Sequence, residues 1–397
     1  MGPLEGVKVL DLSTVIAAPF CASLLADFGA EVVKIEQPKG GDPFRNWGPF
    51  YKEKAMRFTS MNRNKKSVTL DLRTPQGKEM FLKMVGKADV VVENFRPGTL
   101  KKWGIPYEEM QKYNKDIIVT HISGYGQTGP YAPLPGFGTP VTAFSGLTYI
   151  SGFKDRPPVS PAFSLADFVA GLYACFSTVM ALYHKKANHG SGQEVDVSLY
   201  EGLFRFLEQV IMDYDKNGNI TERTPGLSGG SFSPGGMFKT KDDKWCVLVC
   251  STDRTWTYLA KGMKREDLMT NPKFDTMKHR VANDAELEKM IGDWIGSYNW
   301  VDVKKIADEV GAPLNLIYSI KDIFEDPQYK AREDIIEVPD KNLGTIKMPG
   351  IVPKFSKTPG QVKWGCPDLG ANNEEVYKDY LGLSKEDVAK LKEQNII

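Results

Sequence analysis

Short runs rich in Val, Ile and Leu alternate with helix-length segments through the first third of the chain, and this alternation constrains the fold more than any other feature. Val7–Leu12, Glu31–Glu36, Ser67–Leu72, Asp89–Phe95 and Ile117–Ile122 read as strands. Between them, Phe20–Phe28, the segment from Thr74-Pro75 to Lys87 and a stretch near Tyr107–Tyr113 read as helices. Strands spaced by helices of this length build βαβ units, and so an α/β fold with a parallel, doubly wound sheet. In such sheets the ligand sits at the carboxyl ends of the strands.

Past Ser123 the pattern breaks. Residues Ser123 to Pro161 are rich in Gly and Pro and include Gly124-Tyr125-Gly126-Gln127-Thr128-Gly129-Pro130. A loop this long inside a compact domain is functional or wraps a neighbour. An apolar helix follows from Asp167, then an alternating strand over Glu194–Leu199 and an amphipathic helix to about Asp213. A second Gly-rich stretch, Thr224 to Gly236, leads into a hairpin-like pair, Met237–Thr240 and Trp245–Val249, and helical patterns run on to about Val310. The chain accordingly divides into residues 1–224, a smaller α+β domain over 225–325, and a segment 326–397 with short strands and a charged helix, Lys385–Lys392.

Composition removes several classes. Lys and Arg number 51 against 50 Asp and Glu, a net charge of +1, so no global field recruits nucleic acid. Met1-Gly2-Pro3-Leu4-Glu5-Gly6 has no charged and apolar leader pattern. The apolar run after Asp167 is broken by polar residues and ends in His184-Lys185-Lys186, so no membrane span is expected. Five scattered cysteines fit reduced thiols and a cytoplasmic location. Cys246 and Cys250 would share a strand face, but without a second pair or a nearby His they read as packing rather than a zinc site. His121, His184, His189 and His279 form no metal-spaced pair, His121 reads as a satisfied core imidazole, and no metal site is expected.

The turn after the first strand, Ser13-Thr14-Val15-Ile16-Ala17-Ala18-Pro19, lacks the glycines a dinucleotide pyrophosphate needs, which argues against a nicotinamide or flavin enzyme. Neither a P-loop nor a Gly-x-Ser-x-Gly elbow is present. Glu93-Asn94-Phe95-Arg96-Pro97-Gly98 ends a strand and enters a helix with Lys101 and Lys102, and with Arg73 it reads either as an anion seat or as a solvated basic rim. Asp167, in Ser164-Leu165-Ala166-Asp167-Phe168, puts a carboxylate at the head of the apolar helix. It is either an N-cap or a nucleophile stabilised by the helix dipole.

Leu4-Glu5-Gly6-Val7-Lys8-Val9-Leu10-Asp11, Gly29-Ala30-Glu31-Val32-Val33-Lys34-Ile35-Glu36, Asn64-Lys65-Lys66-Ser67 and Glu93-Asn94-Phe95-Arg96-Pro97-Gly98, with the Gly-rich run from Ser123 and Gly192-Gln193-Glu194-Val195-Asp196-Val197-Ser198-Leu199, resemble class III CoA-transferases along essentially the whole chain. The final third, with Asp326-Pro327-Gln328-Tyr329 and Pro353-Lys354-Phe355-Ser356, is most similar to the carnitine and bile-acid branch, the CaiB/BaiF family. The resemblance implies a Rossmann-like large domain whose parallel sheet is formed by both chain ends, a small α+β domain between them, and an interlocked homodimer. It matches Asp167 to the family's nucleophile and Gly235 and Gly236 to a loop closing over it. It places Val15, Ala17, Arg73, Asn94, Phe95, Arg96 and Lys102 where the family touches CoA.

The implied activity is transfer of CoA from an acyl-CoA to a carboxylic acid through an aspartyl anhydride and an aspartyl-CoA thioester. CoA esters and small acids are the partners, and no tightly bound cofactor is implied. Three departures stand out: Ile16 where the formyl-CoA branch has a glutamine, Gly138 where many members have an acidic residue or Asn, and Gln37 in place of an adenine-side arginine. They argue against formyl-CoA and oxalate, and Tyr125, Phe137, Phe232 and Met237 suggest a larger acid. Gly136-Phe137-Gly138 lacks the His of the α-methylacyl-CoA racemase relatives, which demotes racemisation. A catalytically silent acyl-CoA-binding protein is the third reading.

Overall fold

Six parallel strands carry the fold: β1 (Lys8–Asp11), β2 (Glu31–Glu36), β3 (Lys65–Thr69), β4 (Val90–Glu93), β5 (Ile118–Ser123) and β6 (Glu194–Ser198). Their order is β3-β2-β1-β4-β5-β6, with Asp11 in register with Lys34 of β2 and Val92 of β4. The winding direction reverses between β1 and β4, the switch point at which doubly wound sheets bind ligands. The computed structural model describes residues 1–223 and 231–397.

Both faces of the sheet are covered, as parallel sheets require, and the period of two sorts the side chains. Leu10, Val33, Val91 and Val119 point into one core, together with Phe81 of helix α3 (Pro75–Val85) and Tyr377 and Leu391 near the C-terminus. Val9, Val32, Val90 and Ile118 point to the opposite core, built with α1 (Ala17–Asp27) and α6 (Leu165–Ala187). The remaining helices of this unit that bear on the site are α2 (Met56–Met61), α4 (Thr99–Trp103) and α5 (Gly138–Phe144). A Cβ on Gly171 would approach the Ala17 carbonyl oxygen at 2.5 Å and the Phe20 ring at 3.0 Å, so glycine is what lets α1 and α6 cross this closely.

By length and composition alone, α6 is long and apolar enough to cross a bilayer. The expectation that no segment qualifies is therefore corrected, because Ser, Thr and Gly interrupt the run without making it polar. Its inner face is nonetheless core: Ala166, Ala170, Ala174 and Thr178 are fully buried, and Thr178 shares a 2.7 Å hydrogen bond with Thr120 of β5.

One compact unit comprises 1–147, 160–208 and 330–397, and the other 148–159 and 209–329. The expected division at 224 and 225 lies outside the described residues, as do residues 224–230 of the Gly-rich stretch. Residues 330–397 belong to the first unit, but among the described residues they add no strand to the six-stranded sheet, which corrects the expectation that both chain ends form it. The reason lies at the β3 edge. Asn372 accepts from the Ser67 N–H at 3.0 Å and Asn373 from the Thr69 N–H at 2.9 Å, while the Tyr377 hydroxyl donates to the Thr69 carbonyl at 2.5 Å. These side chains, with the Asn372 N–H donating to the Ser67 carbonyl at 2.9 Å, satisfy the open edge, so no seventh strand is needed.

In the second unit β7 (Gly235–Lys239), β8 (Trp245–Val249) and β9 (Leu314–Leu316) form an antiparallel sheet. Phe238, Cys246, Leu248 and Cys250 pack there with Trp256, Ile291 and Val303 from the helices that follow. All five cysteines are free thiols.

Candidate active site

Asp167 lies in the first turn of α6 but does not cap it: Ser164 occupies the N-cap position and makes no side-chain capping bond. The carboxylate is therefore not consumed by the end of its own helix in the way the capping reading required. It has no hydrogen bond or ion pair to another side chain among the described residues. Burial pushes its pKa from 3.8 up to about 6, offset only in part by its own backbone N–H. A carboxylate without a countercharge, partly removed from water and mostly ionised at neutral pH, is a strengthened nucleophile.

The neighbouring surfaces explain that desolvation. Phe168 stacks edge-on against Phe20, with ring centroids 5.0 Å apart, and lies 6.2 Å from Phe163. Phe168 also packs, with Val15, against the buried cluster of Ile16, Phe44 and Phe58. Opposite stands Gly138, the first residue of α5. A Cβ there would collide with the Asp167 carboxylate and meet the Ser164 Cβ at 3.6 Å. The departure noted at Gly138 is thus a steric requirement of this site. Helix α5 itself went unseen in the sequence because Gly and Pro masked it.

The turn after β1 is held by a buried charge network that the sequence reading missed. The Lys65 ammonium contacts Asp11, the Pro19 carbonyl and the Asn62 side chain, each at 2.8 Å. Lys34 pairs with Asp42 at 3.0 Å and donates to the Ser13 carbonyl at 2.8 Å. All four charged side chains are fully buried. Burial opposes ionisation of Asp11, but Lys65 and Lys34 outweigh it and hold its carboxyl below the ordinary value. Asp42 also accepts from the Val15 N–H, at 3.1 and 3.2 Å to its two oxygens. Val15 has φ of 66°, a left-handed conformation that a β-branched residue adopts only under constraint. A lysine inside the apolar run Glu-Val-Val-Lys-Ile-Glu was the available signal: a central parallel strand buries that ammonium, so an acid must lie beside it.

Thr14, Gln37, Asp42, Arg73, Phe95 and Trp103 line a cleft of about 240 Å³ at the carboxyl ends of β1, β2 and β3. Phe95 is braced by Trp103 of α4, with ring centroids 4.9 Å apart. Arg73 is exposed and forked onto Asp71 at 2.8 Å through two nitrogens. Asn94 is already engaged. It accepts from the Thr14 N–H at 2.9 Å and donates to the Thr14 carbonyl at 2.8 Å, clamping two loops together. Arg96 and Lys102 are exposed at the same end of the sheet, and neither makes an ion pair among the described residues. Ala17 is buried in the first turn of α1. His121 is buried between Glu93 at 2.5 Å and Glu194 at 3.0 Å. Burial lowers its pKa, but the glutamates outweigh this and raise it above the usual value.

In the second unit, Gly235 and Gly236 open β7. The Cys250 N–H donates to the Pro234 carbonyl at 2.8 Å and the Thr240 N–H to the Lys244 carbonyl at 2.9 Å, which fixes the phase of the ladder. Because paired residues alternate, Gly236 sits in a hydrogen-bonded pair with Leu248, whereas Gly235, opposite Val249, turns its N–H to the open edge. Of the four side chains expected to line the acid pocket, Tyr125 is committed to an aromatic cluster with Tyr131, Phe144 and Tyr200. Phe137 is exposed. Phe232 covers Gly235 within the second unit, where Met237 is also exposed.

The chain belongs to CoA-transferase family III, whose model matches residues 4–373. It is 42% identical over its full length to succinyl-CoA–D-citramalate CoA-transferase of Chloroflexus aurantiacus, covering 98% of that protein. It is 32% identical, again over its full length, to human succinyl-CoA:glutarate CoA-transferase, covering 90% of it. The crystal structure of a CaiB/BaiF family protein from Brucella suis superposes with a TM-score of 0.83 at 29% identity, across 96% of this chain and 99% of that one.

Proposed function

We propose that this enzyme moves CoA from succinyl-CoA or a related acyl-CoA to a short carboxylic acid, with Asp167 as the covalent carrier. The carboxylate attacks the thioester carbonyl, the C–S bond breaks, and CoA leaves as the thiolate while a mixed anhydride forms. The thiolate then attacks the aspartyl carbonyl, which releases the donor acid and leaves an aspartyl-CoA thioester. The acceptor carboxylate reverses the sequence. The observation that carries this reading is the Asp167 carboxylate: desolvated, unpaired and facing Gly138. The names of the relatives favour succinyl-CoA as the donor and short acids over carnitine-like or bile acids.

The cleft at the switch point is the seat for CoA. In it Phe95 and Trp103 offer aromatic faces and Arg73 a cation, while Arg96 and Lys102, exposed outside its lining, offer further cations to phosphate. Val15 and Asn94 do not line it but hold two residues that do, Asp42 and Thr14, through hydrogen bonds, and Ala17 is buried in α1. Gly235 is the better placed of the two glycines to donate to an oxyanion, because its N–H is outside the ladder. A second copy of the chain would cover the exposed stripe Leu172, Phe176, Met180 and Tyr183 along α6, a contiguous apolar face of the kind that marks an interface. Sedimentation should therefore report twice the chain mass, and a monomer at micromolar concentration would remove the homodimer.

The function is tested by incubating the protein with succinyl-CoA and a panel of acids and identifying new CoA esters by mass spectrometry. Formation of an acyl-CoA from an added acid, with release of succinate, is the expected result, and simple hydrolysis would count against it. Gly138→Ala should cut transfer by about 100-fold or more, because its methyl group displaces the carboxylate from its line of attack. Binding of CoA esters by calorimetry should change little. Full transfer activity in this variant would show that the carboxylate does not work from the position described.

A further inference from the structure

We infer that Arg57 selects for acyl groups that carry a second carboxylate; the inference rests on the CoA-transfer reading above. Arg57 lies in α2 and lines a cavity of about 670 Å³ together with Thr139, Phe163, Ser164 and Phe168. These residues frame the nucleophile: Thr139 follows Gly138, Phe168 follows Asp167, and Ser164 and the Asp167 carboxylate crowd the same face of Gly138. An acyl group bonded to Asp167 extends into this cavity.

Within it, Arg57 is a cation whose charge nothing matches. It has neither an ion pair nor a hydrogen bond among the described residues, whereas Arg45, Arg63, Arg73 and Arg280 are all matched to carboxylates. Its guanidinium stands 5.1 Å from the centroid of Phe44, itself fully buried, which steadies the side chain and leaves its N–H groups to the cavity. Guanidinium cannot lose its proton at physiological pH and presents a planar fork that fits a carboxylate. Thr139 and Ser164 add hydroxyl-bearing residues to the same lining. A monocarboxylic acyl group would leave the guanidinium beside an alkyl end, whereas a diacid would place an anion against it.

The test compares succinyl-CoA with butyryl-CoA, which has the same carbon count without the terminal carboxylate, using acetate as common acceptor. Wild-type enzyme should favour succinyl-CoA in kcat/KM by about 100-fold or more, as expected when a site built for a polar group meets an analogue that lacks it. In Arg57→Gln that ratio should collapse to within about 5-fold, and Arg57→Lys should retain an intermediate preference because charge remains without the fork. The inference is overturned if wild-type enzyme shows no preference, or if Arg57→Gln lowers both donors equally and keeps the ratio. Absence of transfer from either donor to acetate or to any acid of the panel by folded wild-type protein would instead overturn the CoA-transfer reading itself.

Discussion

Asp167→Asn is expected to lower CoA transfer by about four orders of magnitude or more, because the amide removes the nucleophile while leaving the shape of the site intact. The same substitution should make the protein more stable. Burial raises the carboxyl pKa from 3.8 to about 6, so the fold disfavours the ionised form. The stability contributed by the neutral carboxyl is complete below about 3.8 and is lost as pH rises through about 6. The shift of roughly two units sets a ceiling of roughly 3 kcal/mol at pH 7 to 8, and partial exposure reduces it. Thermal melts should show Asp167→Asn a few degrees above wild type at pH 7.5, with the gap closing towards pH 4. The same pKa should govern turnover, with kcat/KM rising to a plateau above about pH 7. An Asn variant that melted below wild type at pH 7.5 would contradict the unpaired, desolvated carboxylate.

Lys65→Met carries the largest expected cost in stability. It removes the one ammonium that satisfies Asp11, Asn62 and the Pro19 carbonyl at once, and leaves Asp11 a buried anion with Lys34 and Ser13 beside it among the described residues. Breaking one partner of a buried pair costs about 3–5 kcal/mol, more than either member contributes as part of an intact pair. Urea unfolding should report a loss of that size, with soluble expression falling accordingly. Asp11→Asn in the Lys65→Met background should recover part of it, since no anion is then stranded. If the double variant is less stable than Lys65→Met alone, the electrostatic account of this core is wrong. Because Asp11 shapes the turn through Ser13, the single variant should also weaken binding of CoA esters.

The strand–helix alternation carries enough information to place the first five strands within a few residues, because burial of the central ones on both faces demands continuous Val, Ile and Leu, whereas β6, with exposed Glu194 and Asp196, shows as polar–apolar alternation. It could not reveal how the β3 edge is closed, since Asn372 and Asn373 stand some 300 positions away in the chain. Asp167 was legible as an anomaly, a charge heading an apolar helix. Its lack of a partner was not, because that depends on which side chains fail to reach it. Gly138 read as a missing functional group and proved to be the space that the carboxylate occupies. Asn94 was legible as part of a loop motif, but only its bonds to Thr14 show that it braces that loop. Lys34 and Lys65 were visible in the sequence, and their meaning required the register that sets Asp11 beside them.

The most direct test of the central claim is mass spectrometry of the enzyme trapped during turnover. Protein incubated with succinyl-CoA, quenched with hydroxylamine and digested should yield a peptide modified at Asp167, the hydroxamate left when an anhydride or thioester on that side chain is captured. The modification should be absent without acyl-CoA and absent from Asp167→Asn. An unmodified Asp167 in enzyme that is actively transferring CoA, or a label on another residue, would contradict covalent carriage by this carboxylate.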